Sequence, residues 1–205
     1  MMIYTAAVLL TGRTSMDYQL FKAINGLAGA HRALDVVMIA CATYSPFVYA
    51  LVLVALWLTW THRIQLGAFL AGLSALIALG IGQIVGAVFA RERPYLVHHV
   101  NLLISGAPDK SFPSDHATLA FAVGVMVWRF NRQLGVALLL FGVLTAFARV
   151  FVGVHYPSDV LGGAVLGSVV SLVVAAVSVR EGPGKFLNGF FAILARWHLA
   201  AAVRE

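Results

Sequence analysis

The chain predicts an all-α protein, a polytopic helical bundle embedded in a membrane with about five to six spans. Three observations lead there. Of its 205 residues, 61% are hydrophobic and only 11% are charged. The mean hydropathy is +0.91, far above that of a soluble domain. Apolar runs recur at close to the roughly 20 residues a bilayer crossing needs. No repeat, low-complexity tract or long linker divides residues 1–205, so a single membrane domain is expected.

The elements follow in order. Met1 to Leu10 contains an apolar run too short to span and lacks the basic start of a signal peptide. Residues 1–15 read equally as an extension ahead of Met16 and as native chain. Residues 16–30 mix apolar and polar positions at helical spacing and read as an interfacial helix, an ordinary solvent-facing helix being about as good a reading. The membrane core, residues 34–179, opens with the run Leu34 to Trp60, which Ser45-Pro46 can break or kink because proline lacks a helix donor. Ile64 to Phe89 is the second span, rich in the Gly and Ala that permit close helix approach. A shorter apolar helix follows over His116–Phe130, then Leu134–Val152, and the last span is Val160–Val179. Gly163 and Gly167 give that last span a close-packing face, serving either the monomer or a dimer. Residues 185–205 set Arg196, His198 and Arg204 among apolar side chains and read as an amphipathic tail on the bilayer surface.

Five spans place every strongly polar stretch on one side of the membrane. Arg63, Arg129, Arg132, Arg180, Lys185, Arg196 and Arg204 fall on the other, and basic residues in short loops favour the cytoplasm. The polar stretches are therefore expected to face the extracytoplasmic side. The net charge of +6 fits anionic headgroups. With no soluble basic face carrying interleaved aromatics, nucleic acid is not an expected partner. Cys41 is the single cysteine, which excludes an intramolecular disulfide, and no Cys/His spacing suggests a zinc site.

Ionisable groups inside a membrane protein are costly and point to function. Three short stretches concentrate them: Arg91-Glu92-Arg93-Pro94, Pro113-Ser114-Asp115-His116, and Arg149 through His155 to Asp159. Pro113 to Asp115 ahead of an apolar run is a helix start, whose free N–H groups and dipole attract phosphate. Alone, Ser114 and Asp115 would read as caps. His116 on the first turn adds an imidazole able to deliver a proton to a leaving oxygen. His155 and Asp159 lie four apart across Pro157, so a carboxylate can orient the ring and leave its other nitrogen as a nucleophile. Arg93 and Arg149 sit at span ends, where a guanidinium can either snorkel or grip phosphate oxygens bidentately. Their convergence on one face favours a phosphate site.

The motifs R-P at Arg93-Pro94, P-S-x-H at Pro113 to His116, and R-x5-H-x3-D from Arg149 to Asp159 resemble those of the type 2 phosphatidic acid phosphatase superfamily, in its membrane branch. The resemblance implies an α-helical core, His155 as nucleophile, Asp159 as its orienting partner and His116 as general acid. It assigns Arg93, Ser114 and Arg149 to the phosphoryl group, with no metal and no cofactor. Three positions depart from the family pattern. Gly86 stands where a lysine is expected, Asp115 where a glycine is, and Ala148 where a serine is. The loss of that lysine removes one phosphate contact, for which Arg91 and Lys110 are the candidate replacements. Asp115 must either hold its proton or bond another group beside a bound anion.

The opening from Met16, RERPY, the His98-His99 pair and SFPSDHAT are similar to the bacitracin-resistance type of undecaprenyl-diphosphate phosphatase. That resemblance implies a polyprenyl diphosphate substrate, membrane lipids as surroundings, a place in a bacterial plasma membrane and recycling of the cell-wall lipid carrier. Two alternatives stand beside it. One is the same chemistry on phosphatidylglycerophosphate or phosphatidic acid, and the other a non-catalytic lipid or drug transporter. His98 and His99 read as interfacial histidines before they read as ligands of a distal phosphate. Oligomeric state is not legible.

Overall fold

The computed structural model describes residues 16–59, 61–106 and 109–180. The expectations for residues 1–15 and for the tail 185–205 lie outside the described residues. Seven helices are found in the described chain: α1 (Met16–Asn25), α2 (Arg32–Trp57), α3 (His62–Phe89), the short α4 (Pro94–Val97), α5 (Asp115–Phe130), α6 (Arg132–Phe151) and α7 (Pro157–Arg180).

Helix α5 is the hub, packed on α2, α3, α6 and α7. Its small residues make this possible, since Ala117, Ala120 and Ala122 are fully buried and admit neighbouring backbones. The Gly163 and Gly167 face of α7 is turned onto α5. A Cβ on Gly163 would lie 2.5 Å from the Ser114 carbonyl oxygen, and one on Gly167 would lie 2.2 Å from that of Thr118. Of the two readings the sequence left open, the structure uses these glycines within the monomer.

Helices α2, α3, α6 and α7 are long and apolar enough to cross a membrane. Helix α5, expected as a further span, has 16 residues, about 24 Å at 1.5 Å per residue against a hydrocarbon core of about 30 Å. Its neighbours enclose it, so its polar first turn meets protein. Large apolar side chains point outward instead, among them Phe47, Leu51, Leu76, Leu140 and Leu161, as expected where the surrounding solvent is lipid. Helix α2 continues through Pro46 without interruption, where a break was one expectation. Pro-containing helices are tolerated in membranes when neighbouring helices support the freed groups.

Helix α1, expected as an interfacial element, is also held by the bundle. It docks on α6 and α7, burying Phe21 and Asn25. The Asn25 side-chain amide donates to the carbonyls of Phe151 at 2.8 Å and Asn101 at 2.9 Å, while its oxygen accepts from the Asn101 N–H at 2.9 Å. A buried amide with these partners fixes register as well as position. The helix is thereby tied to the segment that leads into the polar stretches.

Candidate active site

The three polar stretches meet at one end of the bundle, where α3 and α6 finish and α5 and α7 begin. The Ser114 N–H donates to the Asp159 carbonyl at 3.0 Å, joining the second stretch to the third. Arg91 reaches Asp159 Oδ1 at 2.8 Å, joining the first.

His155 is the centre of this junction, 2% exposed in the loop ahead of α7. Its Nδ1 lies 2.9 Å from the backbone oxygen of Ser111, which can only accept, so Nδ1 carries the proton. Its Nε2 faces Arg93 Nη1 at 3.2 Å and Arg149 Nη2 at 3.5 Å. A guanidinium can only donate, so Nε2 is the unprotonated nitrogen. Two independent neighbours thus select one tautomer. Burial holds the His155 pKa down at about 4; Asp159 opposes this, and the Arg149 and Arg93 charges reinforce it. The ring is neutral near pH 7, with a lone pair aimed between two cations.

The orienting contact differs from the one the spacing suggested. Asp159 Oδ2 is 3.7 Å from His155 Nδ1, too long for a hydrogen bond, and the Ser111 carbonyl takes that bond instead. Asp159 is fully buried and firmly held. Its Oδ2 accepts from Ser111 Oγ at 2.5 Å and from the Tyr156 N–H at 2.8 Å. Its charge acts on the ring across a short gap.

Arg93 is anchored through Nε to Asp109 at 2.6 Å and through Nη1 to the Val154 carbonyl at 3.2 Å. Arg149 Nη1 donates to the Ala42 carbonyl of α2 at 3.1 Å. Ser114 occupies the N-cap position of α5, but its hydroxyl makes no cap hydrogen bond. Among the described residues, Ser114 Oγ and Arg149 Nε are buried polar atoms without a protein partner. Both retain bonding capacity for an oxyanion. His116, half-buried on the first turn of α5, is close enough to Arg149, His155 and Arg93 for their charges to act on it. All six expected residues therefore gather in one place. No three His, Cys, Asp or Glu side chains among the described residues converge so as to hold a metal ion.

This constellation has counterparts. The family model described as the PAP2 superfamily matches residues 67–183. The chain belongs to the PAP2 superfamily. The protein named undecaprenyl-diphosphatase BcrC of Bacillus subtilis is 39% identical over 158 residues, covering 77% of this chain and 82% of that relative. One named bacitracin transport permease protein BcrC, of Bacillus licheniformis, is 33% identical over 78% of this chain and 80% of its own. Among solved structures, LpxE of Aquifex aeolicus superposes with a TM-score of 0.65 at 22% identity, over 81% of this chain and 98% of that one. At that identity the likeness concerns the fold, which is that of the membrane PAP2 proteins.

Two departures from the PAP2 motifs now have physical accounts. A Cβ on Gly86 would meet the Phe112 carbonyl oxygen at 2.9 Å and Lys110 Cδ at 3.4 Å, so backbone and the Lys110 stem occupy the space a lysine would need. Gly86 and Lys110 line a cleft of about 360 Å³ together with Gln83, Arg91, Pro113 and Asp115. Asp115 bonds another group: Gln83 Nε2 donates to its two oxygens at 3.2 and 3.3 Å. Nothing in the structure explains Ala148 in place of serine.

Sequence reasoning missed Ser111 and Asp17. Ser111 acts on His155 through its carbonyl, which every residue possesses, so no side-chain signal marks it. His98 packs against Tyr18 at 4.0 Å between ring centroids, the rings tilted by 32°, and lies edge-on to Tyr156, which makes it part of the α1 docking surface.

Proposed function

We propose that this PAP2 phosphatase hydrolyses undecaprenyl diphosphate to undecaprenyl phosphate and inorganic phosphate through a phosphohistidine on His155. The observation that carries this is the unprotonated Nε2 of a buried, tautomer-locked imidazole set between two guanidinium groups. Such a nitrogen is a nucleophile at neutral pH, and the cations match the charge that develops on a transferring phosphoryl group.

In the first step the phosphoryl oxygens replace Nε2 as acceptors for Arg93 and Arg149, and Ser114 Oγ donates to them. Nε2 attacks the terminal phosphorus in line. The bridging P–O bond breaks, its electrons stay on the lipid phosphate, and His116, which takes up a proton once the anionic diphosphate is bound beside it, supplies that proton to the oxygen. In the second step neutral His116 takes a proton from water as the water oxygen attacks phosphorus. The N–P bond then breaks, releasing phosphate and restoring neutral His155. Asp159 stabilises the positive charge the ring carries in the intermediate. Lys110, whose stem lies over Gly86, takes the part of the missing motif lysine, since Arg91 is engaged by Asp17, Ser158 and Asp159.

The substrate reading rests on the extent of likeness to the undecaprenyl-diphosphatase relatives. It carries with it carrier recycling, bacitracin resistance and a site on the extracytoplasmic face of a bacterial plasma membrane, the side favoured by the basic-residue bias. The relative named as a transport permease gives the transporter reading its one support. Phosphate release from undecaprenyl diphosphate, phosphatidylglycerophosphate and phosphatidic acid by purified protein in detergent, with chelator present, separates these readings. Fastest turnover on the diphosphate, abolished by His155→Ala, is the expected result. Fastest turnover on another lipid reassigns the substrate. Vesicle transport that survives His155→Ala, without phosphate release from the intact chain, favours the transporter.

A further inference from the structure

The proposed chemistry uses neither Asp17 nor Arg91, yet both are tightly engaged beside it. Asp17 lies on the first turn of α1, about 140 residues before the site in sequence. Its Oδ2 accepts from Arg91 Nη2 at 2.6 Å and from Ser158 Oγ at 2.6 Å, and its Oδ1 accepts from the Ser158 N–H at 2.9 Å. Arg91 Nη1 donates to Ser158 Oγ at 2.6 Å and to Asp159 Oδ1 at 2.8 Å. The guanidinium carbon lies 3.9 Å above the Tyr156 ring, and Phe21 of α1 packs against that ring from 5.5 Å.

The arrangement is a closed network in which one guanidinium bridges two carboxylates far apart in the sequence, Asp17 and Asp159. Asp159 Oδ1 is held by Arg91, while its Oδ2 is held by Ser111 and the Tyr156 N–H and faces His155. The orientation of that carboxylate beside the ring therefore depends on where Arg91 sits. Asp17 fixes the other arm of Arg91.

We propose that Asp17 is a positioning residue for the His155 site, acting through Arg91 on Asp159, so that docking of α1 completes the active geometry. The inference rests on the reading given under Proposed function. Charge-assisted bonds from a bidentate guanidinium supply both energy and direction, and small misplacements of a catalytic group carry large rate costs. Asp17 does not touch the phosphoryl grip formed by Arg93, Ser114 and Arg149, so its effect falls on kcat and leaves KM nearly unchanged.

The test is a double-mutant cycle on the full purified chain in detergent, measuring phosphate release from the three lipids named above. Asp17→Asn is expected to lower kcat about tenfold in the intact background and less than about twofold in an Asp159→Asn background, because coupled residues are non-additive. Asp17→Glu restores part of the loss. Should Asp17→Asn not fold, Arg91→Gln reads the same coupling to Asp159→Asn. An undiminished kcat in Asp17→Asn, or an equal loss in both backgrounds, overturns the proposal and leaves α1 a structural element only. His155→Ala, measured alongside, tells that failure from the larger one. Full turnover in His155→Ala, or none of the lipids turned over by the intact chain, removes the phosphohistidine reading and this inference with it.

Discussion

The backbone oxygen of Ser111 sits 2.9 Å from Nδ1 of His155 while the hydroxyl of the same residue donates to Asp159. One residue thus holds the imidazole and the carboxylate behind it. The carbonyl fixes the tautomer, and the hydroxyl fixes the direction of the charge.

These two contacts are separable by mutation. Ser111→Ala keeps the carbonyl and removes the bond to Asp159, leaving a buried carboxylate oxygen with one fewer donor, a loss of order 1–3 kcal/mol. A fall in kcat of about tenfold to a hundredfold, partly restored by Ser111→Thr, is expected from steady-state phosphate release.

Removing the nucleophile has a larger effect. His155→Ala should reduce turnover by at least about a thousandfold, since it removes the nitrogen that accepts the phosphoryl group. Rapid acid-free quenching of the intact enzyme with labelled substrate should trap label on protein in an acid-labile, base-stable form. Its absence under conditions of full turnover would count against covalent catalysis.

The depressed pKa of His155, about 4 against an ordinary 6.5, has a definite sign. Between those values the unfolded chain binds a proton that the native state refuses, so stability falls as pH drops from 6.5 towards 4 and is unaffected by this group above 6.5. Thermal unfolding in detergent across that window should show a shallower pH slope in His155→Gln than in the intact chain. The nitrogen NMR signal of Nε2 should stay in the neutral range at pH 5.

Restoring the family lysine is expected to do harm. Gly86→Lys forces a Cβ to 2.9 Å from the Phe112 carbonyl, beside the loop that carries Ser111 and Pro113, so activity and melting temperature both fall. Lys110→Ala leaves the fold intact and raises KM several-fold by removing a cation near the phosphate. Activity gained in Gly86→Lys would show that the loop yields and that Lys110 is dispensable.

Helix spacing offers an independent check on the fold. Gly167→Leu drives a side chain into the Thr118 backbone and separates α5 from α7, at a cost of about 3 kcal/mol or more as overpacking without relief. Loss of monodisperse protein in detergent is the expected readout.

Much was determined by the sequence alone. Apolar runs are local, so composition and run length sufficed for a helical membrane protein and for α2, α3, α6 and α7 to within a few residues. The motif residues Arg93, Ser114, His116, Arg149, His155 and Asp159 announced themselves because ionisable side chains stand out against an apolar background. Counting α5 as a fifth crossing put them at one end of the bundle. What only the tertiary structure decided were relations between distant residues. The shortness of α5 matters because four helices enclose it, and the glycine face of α7 is spent on α5 because Thr118 lies opposite. The bond to His155 Nδ1 goes to a backbone oxygen, which carries no residue-type signal. Asp17 meets Arg91 only because Asn25 and Phe21 dock α1 on the bundle. Contacts of this kind are set by packing in three dimensions, and no periodicity along the chain encodes them.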